Sequence, residues 1–368
     1  MTRQKKGKEK MGKVPVSVCI IAKNEEKHIE NCLKQLLPYG MEIVVVDTGS
    51  TDNTKQIAKK YSSHVYEFEW TDNFSAARNF AASKASYNWI LTLDCDEYVQ
   101  KIDVAKLRMC MQKYPKNVGV IELLNVYHKG TIETLQPNEV PRFYNRNYFS
   151  YQFRIHEQIT PKHAVCFDEV VLETFQIPVT VKHYGYNIPR KEMEEKQKRN
   201  LELLKAAIGE HEGMEDYLYF QIGQSYNALQ DYGKAVLAYD MSLEVNRNPE
   251  KKFLTLCLES YADCLLKLGN TDEAYQLLDI NRDYLKSTKL WYLFGKAAYN
   301  CKNYDAAYIN LNRVVEAADL ELLGEDAFDA YTRLLAICKT TGKIEKLEYY
   351  KKKLIEFAKR QGKQIVFE

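Results

Sequence analysis

The sequence has no run of about 18 consecutive apolar residues, the length a helix needs to cross a bilayer. Its basic start, "MTRQKKGKEKMGK", is followed by no apolar stretch of the signal-peptide kind. Nine cysteines (19, 32, 95, 110, 166, 257, 264, 301 and 338) form no Cys-x-x-Cys pair and no Cys/His spacing of the structural-zinc kind. Most stand inside apolar stretches and read as small buried hydrophobes. Charge of one sign is missing too: 52 Lys and Arg stand against 50 Asp and Glu, which removes the electrostatic basis for sequence-independent nucleic-acid binding. An anionic ligand must therefore be met locally. These absences predict a reduced, cytoplasmic protein with no nucleic-acid partner, whose residues 1–13 form a disordered tail able at most to touch an anionic membrane surface.

A chain of 368 residues is long for one core, so two domains are expected. From Val14 to about Tyr114 β-type runs alternate with helical ones. "VPVSVCIIA", "EIVVVD", "HVYEFEW" and "NWILTLD" predict strands; "EEKHIENCLKQLL", "TDNTKQIAKKY" and "FSAARNFAASKA" predict helices. Such alternation implies βαβ units and a mostly parallel sheet buried on both faces. Ligands of such sheets bind beyond the carboxyl ends of the strands, where Asn24, Asp47 and Asp94 fall. The segment from Val118 to Arg199 predicts antiparallel strands ("NVGVIELLNVYHKG", "EVPRFYNRNYFSYQ", "IPVTVKHYGYN") and then a helix, "RKEMEEKQKRNLELLKAAI". After about Asp216 the pattern is helical throughout. Tyr219, Ile222, Gly223, Tyr226, Ala235 and Tyr239 fall at tetratricopeptide-type positions, and Trp291, Phe294, Gly295, Ala298, Ala307 and Leu311 repeat them. A looser copy runs through Ala262, Leu265 and Ala274, and a degenerate one spans Leu334 to Tyr350. The expected boundaries are 14–212 for the α/β domain and 213–368 for the repeats. Arrays of this kind capture extended peptides or proteins, or serve as a structural or homodimerisation arm.

The stretch "WILTLDCDEY" crowds Asp94, Asp96 and Glu97 at a strand tip, and acids that close need a cation or a proton between them. Together with "IIAKNEEKHI", "VVVDTGSTDNT" and "FSAARN", it makes the first half resemble the family 2 glycosyltransferases of the GT-A fold, a Rossmann-like nucleotide-sugar-binding domain. The resemblance implies that Ala22, Asn24, Glu25, Asp47, Ser50, Arg78, Asp94, Cys95 and Arg199 bind a nucleotide-diphosphate sugar, with Arg78 reaching the base. It also implies that the Asp-x-Asp holds Mn²⁺ or Mg²⁺, with Asp96 as the direct ligand and Asp94 supporting the ribose or the metal through water. A cation with carboxylate ligands is the usual way an acidic edge accepts a diphosphate.

Two further stretches, "FRIHEQIT" and "VKHYGYN", resemble "HE" and "H-x-G-Y" segments of family 2 enzymes that carry helical repeats, the sublancin S-glycosyltransferase subgroup. They add His183 as a third metal ligand or a phosphate contact. Inverting transfer needs a base for the acceptor proton. Glu157 is the first candidate, His156 beside it the alternative or orienting group, and Glu97 the third choice. Arg142, Arg146 and Arg199 are cations available for phosphate, or ordinary ion pairs. The resulting expectation is an inverting, metal-dependent hexosyltransferase, UDP-linked on the donor side. Its acceptor is a peptide or protein side chain or, alternatively, a cell-envelope glycan. The competing expectation is a nucleotide-binding repeat scaffold without catalysis.

Overall fold

The structure, a computed structural model, describes residues 13–129, 132–163, 172–185, 189–210, 214–246, 250–251, 253–365 and 367. Residues 1–12 of the basic start, and Cys166, lie outside the described residues. Two units divide after Gly213.

The first unit runs β1 (Val16–Ala22), α1 (Ile29–Leu36), β2 (Glu42–Asp47), α2 (Thr54–Tyr61), β3 (His64–Glu67), α3 (Phe74–Lys84) and β4 (Trp89–Leu93). It continues with β5 (Glu97–Ile102), α4 (Val104–Lys113), β6 (Val118–Lys129), β7 (Ile132–Asn145), β8 (Phe149–Gln152), β9 (Gln158–Pro161), β10 (Thr174–His183) and α5 (Arg190–Ala207). Among the described residues, eight strands form one mixed sheet in the order β3-β2-β1-β4-β7-β6-β10-β5, and β8 pairs with β9 separately. The βαβ part is parallel as its alternation predicts, with β1 between β2 and β4. Alternate residues of β1 face opposite ways. Val16, Val18 and Ile20 pack with Ile29, Leu33 and Leu36 of α1, whereas Cys19 joins Val44, Val46 and Ala81 on the other face.

The distal half differs from the antiparallel expectation in one strand. β6 and β7 pair antiparallel, but β10 runs parallel to β6 and antiparallel to β5. The reason is the excursion through β8 and β9, which returns the chain to the end of the sheet where β6 begins. As a consequence β10 finishes on the same edge as β1, β2 and β4, and β5 starts there. His183 therefore reaches the edge that carries Asp94 and Asp96.

The described residues of the second unit form four helix pairs: α6 (Glu215–Ala228) with α7 (Tyr232–Val245), α8 (Phe253–Lys267) with α9 (Thr271–Ile280), α10 (Thr288–Asn300) with α11 (Tyr304–Val315), and α12 (Glu325–Thr340) with α13 (Ile344–Arg360). Small residues set the closeness within pairs. A Cβ on Gly223 would stand 2.4 Å from the Tyr239 ring, and one on Gly295 would stand 2.6 Å from Leu311. The turn inside each pair has one left-handed residue, Gln230, Gly269, Lys302 or Gly342. After Gln230 and Lys302 the next residue, Asp231 or Asn303, caps the second helix by accepting a backbone N–H. Among the described residues no helix is long and apolar enough to cross a membrane.

Candidate active site

Three loops at the carboxyl edge build the site. Asn24 leaves β1 in a left-handed conformation, φ 56°, and this turns the following backbone toward the loop after β2. Asn24 N–H donates to Ser50 Oγ (3.0 Å), Glu25 N–H to Thr54 Oγ1 (2.7 Å), and Thr51 N–H to Asn24 Oδ1 (2.8 Å). That stitching explains why α1 and α2 begin three or four residues later than the helical pattern predicts. Their first predicted turns are spent on side-chain bonds between loops. Asp47 ends β2, and its Oδ1 accepts the N–H groups of Gly49 and Ser50, each at 3.0 Å. It is only 4% exposed, and its Oδ2 has no partner among the described residues.

The acids after β4 are not left facing one another. Asp94 Oδ1 accepts from Arg78 (2.8 Å) and its Oδ2 from Arg142 (2.8 Å). Arg142 also donates to Glu97 Oε1 (2.7 Å), and the other Glu97 oxygen accepts the Asp94 N–H (3.0 Å). Arg78 donates its Nε–H to Glu157 Oε1 at 2.6 Å. Burial alone would raise the Asp94 carboxyl, but the two guanidiniums outweigh it and hold Asp94 well below the usual range. Glu97, 1% exposed, is pushed up, by burial first, against the pull of Arg142.

This network gives the predicted site residues partners inside the protein. Arg78 is held by Asp94 and Glu157 through Nη2 and Nε, while its Nη1 has no partner among the described residues. Asp94 has both carboxylate oxygens on arginines, so a cation there would compete with Arg78 and Arg142. Arg142 and Arg146 are engaged as well, the latter donating to the carbonyls of Ala82 (2.6 Å) and Ala85 (2.8 Å). Cys95 is buried with its thiol toward the Ile21 carbonyl (3.6 Å), which makes it a wall of the site.

A cavity of about 440 Å³ opens above this floor. Ala22, Glu25, Arg78, Asp94, Cys95, Asp96, His156, Glu157, His183 and Arg199 line it, while Asn24, Asp47 and Ser50 belong to the bonded loops beside it. The sequence reasoning missed Trp70, Phe74, Lys196 and Asn200 among the lining residues. Lys196, Arg199 and Asn200 share one face of α5 at helical spacing, a legible signal had the helix been placed against the site. Glu25 is raised to about 7, by burial and then by Asp96 and Asp94. His156, at φ 51°, has its imidazole pKa lowered by burial. Its Nε2 is without a hydrogen-bond partner among the described residues.

The chemistry for a cation is present in part. His183 Nε2 stands 3.5 Å from Asp96 Oδ2, and a Cβ on Gly185 would come within 2.5 Å of both atoms. The space in front of the pair is thus kept by a glycine. Among the described residues no three His, Cys, Asp or Glu side chains form a metal-binding group. Two protein ligands with the balance from phosphate and water is the way Mg²⁺ is commonly held beside a nucleotide. The pair fits that use. Burial would lower the His183 pKa; its hydrogen bond with Asp96 reverses this and raises it.

Residues 17–171 match the family described as "Glycosyl transferase family 2". The first unit is a family 2 glycosyltransferase domain. Residues 228–314 match "Anaphase-promoting complex, cyclosome, subunit 3", a second indication that the following unit is a tetratricopeptide-like array. The chain is 25% identical over 307 residues to the SPbeta prophage-derived glycosyltransferase SunS of Bacillus subtilis, covering 77% of this chain and 68% of that one. A TPR repeat-containing protein of Synechococcus elongatus is 28% identical over 199 residues, 53% of this chain. The match covers 48% of that relative, so the chain spans about half its length. Among solved structures, S. aureus TarS 1–349 aligns over 79% of this chain and 88% of its own, with 15% identity and a TM-score of 0.35. The two family matches give the organisation of this protein as a family 2 glycosyltransferase domain followed by tetratricopeptide-like repeats.

Proposed function

We propose that the protein is an inverting, cation-dependent glycosyltransferase that moves a sugar from a nucleotide diphosphate, UDP by preference, to a peptide or protein side chain. The observation that carries this reading is the cavity in which the Asp96–His183 pair, the basic face of α5 and the His156–Glu157 loop meet. Asp47, caged by backbone N–H groups with one oxygen unpartnered, suits a ribose or base hydroxyl or N–H. Arg199 and Lys196 suit the diphosphate oxygens. A divalent cation on Asp96 and His183 would supply Lewis-acid stabilisation of the charge on the leaving diphosphate.

Inversion requires the acceptor to attack the anomeric carbon from the face opposite the diphosphate. The acceptor X–H loses its proton to a base, the X–C1 bond forms, and the C1–O bond breaks with its electron pair leaving on the nucleotide. Glu157 remains the first candidate for the base, held in place by Arg78. His156 is the second, and burial keeps its imidazole in the neutral form that accepts a proton. Glu97, sealed beneath Arg142, is withdrawn from that role.

The test is incubation of the full chain with Mn²⁺ and a panel of UDP- and GDP-sugars, read by mass spectrometry of released nucleotide. Wild-type protein is expected to release UDP, and Asp96→Ala to lose at least about 100-fold in that rate, since it removes a ligand without removing core volume. Release from none of the donors overturns the reading in favour of a nucleotide-binding scaffold. A second acceptor class, a cell-envelope saccharide, is favoured by the lipopolysaccharide core biosynthesis glycosyltransferase LpsC of Rhizobium meliloti, 32% identical over 93 residues. The repeat unit favours the peptide, because helix-pair arrays hold extended chains.

A further inference from the structure

We infer that Asn125 and Gly185, neither of which supplies a ligand, build the cation position between Asp96 and His183: Asn125 sets which imidazole nitrogen faces Asp96, and Gly185 keeps the space in front of it. The inference rests on the cation-dependent reading and names residues that reading does not require.

The register of the sheet places the parts. His183, the last residue of β10, lies opposite Asn125 of β6 on one side and Glu97 of β5 on the other. Asn125 is 6% exposed, and its Oδ1 lies 2.9 Å from His183 Nδ1. A carbonyl oxygen can only accept, so Nδ1 must carry a hydrogen, and in the neutral ring that leaves the lone pair on Nε2. Nε2 is the atom directed at Asp96. Partners of this kind, which fix the tautomer and ring orientation of a ligating histidine, typically account for 10- to 100-fold in metal affinity.

The chain then turns back toward the acid. Tyr184 N–H donates to the Asp96 carbonyl at 3.0 Å, which ties the residue after His183 to the residue expected to bind the cation. Gly185 follows, and a Cβ there would stand 2.3 Å from Asp96 Oδ2 and 2.5 Å from His183 Nε2. Any side chain would occupy the space between the two donor atoms.

The experiment is a Mn²⁺ titration of the full chain, with and without UDP, following the electron paramagnetic resonance signal of free Mn²⁺. Wild type is expected to take up Mn²⁺, more tightly with UDP. Asn125→Leu, which keeps volume and removes the acceptor, is expected to weaken uptake about 10- to 100-fold, and Asn125→Asp, which restores an acceptor, to recover it. Gly185→Ala is expected to weaken uptake by at least as much as Asn125→Leu. Circular dichroism and the melting temperature identify any variant that has lost its fold. The two positions lie on different segments, so one well-folded variant decides. Wild-type affinity in well-folded Asn125→Leu or Gly185→Ala overturns the inference at that position. Failure of wild type to take up Mn²⁺ under either condition overturns the cation-dependent reading itself, and this inference with it.

Discussion

Arg78 and Arg142 are two cations shared among three carboxylates, of which Glu97 is sealed off, Glu157 is mostly buried and Asp94 keeps a third of its side chain exposed to the cavity. Removing one partner of such a group leaves an uncompensated buried charge, which is why the loss exceeds the worth of any one contact. Arg142→Leu is expected to lower stability by about 3–5 kcal/mol, measured by urea unfolding. A loss below about 1 kcal/mol, the range of a surface pair, would show that water reaches the site. Glu25 predicts a pH effect. Its folded-state pKa is raised from 4.5 to about 7, so the folded protein holds this proton more tightly than the unfolded chain does. The stability linked to it is fully present below pH 4.5, falls as pH rises toward 7, and is constant beyond. Glu25→Gln imitates the protonated form, and between pH 5 and pH 8 its urea midpoint should decline less than that of wild type. Equal declines would assign the pH dependence to other groups.

At the scale of elements, the repeat turns offer a direct test of how local geometry is tolerated. Lys302 occupies with φ 61° the place that Gly269 and Gly342 occupy in sister turns at φ 83° and 71°. A side chain in the left-handed region costs about 1–2 kcal/mol, offset in part by the greater freedom glycine has when unfolded. Lys302→Gly is expected to raise stability by about 0.5–1 kcal/mol, seen as a higher melting temperature; a lower one would show that Lys302 makes a compensating contact. The elements legible in the sequence were those with one strong period: the parallel strands, read from their unbroken apolar runs, and the helix pairs, read from glycine, alanine and tyrosine at fixed spacing. Less legible was β5, whose residues "EYVQKI" are too few for a period and lose their alternation at the consecutive exposed Gln100 and Lys101. The parallel run of β10 along β6 was hidden for a different reason. Strand direction depends on where the intervening β8–β9 excursion ends, and no residue of β10 encodes that. Asp47, Asp96 and His183 announced themselves as polar residues at strand ends. The pairings of Asp94 with Arg78 and Arg142 join residues 16 and 48 positions apart, a distance over which charge patterns in sequence say nothing.

For the molecule as a whole, every residue lining the cavity precedes the boundary after Gly213, from Ile21 to Asn200. The division of labour this suggests is that the first unit holds the donor and the chemistry, and the repeats hold the acceptor. If so, a chain ending at Gly213 should bind UDP with Mn²⁺ and hydrolyse a UDP-sugar at a rate within about threefold of the full chain, a difference of under 1 kcal/mol in barrier. The two chains would part on a peptide acceptor, where the shortened one loses binding energy from regions remote from the reacting atoms. That loss appears as a higher KM or, where remote binding is used to position the nucleophile, as a lower kcat too. Circular dichroism must first show that the fragment keeps its β and helical content, since buried apolar residues of α5 such as Leu201 and Leu204 have to stay covered. A folded fragment that glycosylates the peptide as efficiently as the full chain would assign the repeats to assembly, and a folded fragment that no longer binds UDP would show that the donor site depends on the array.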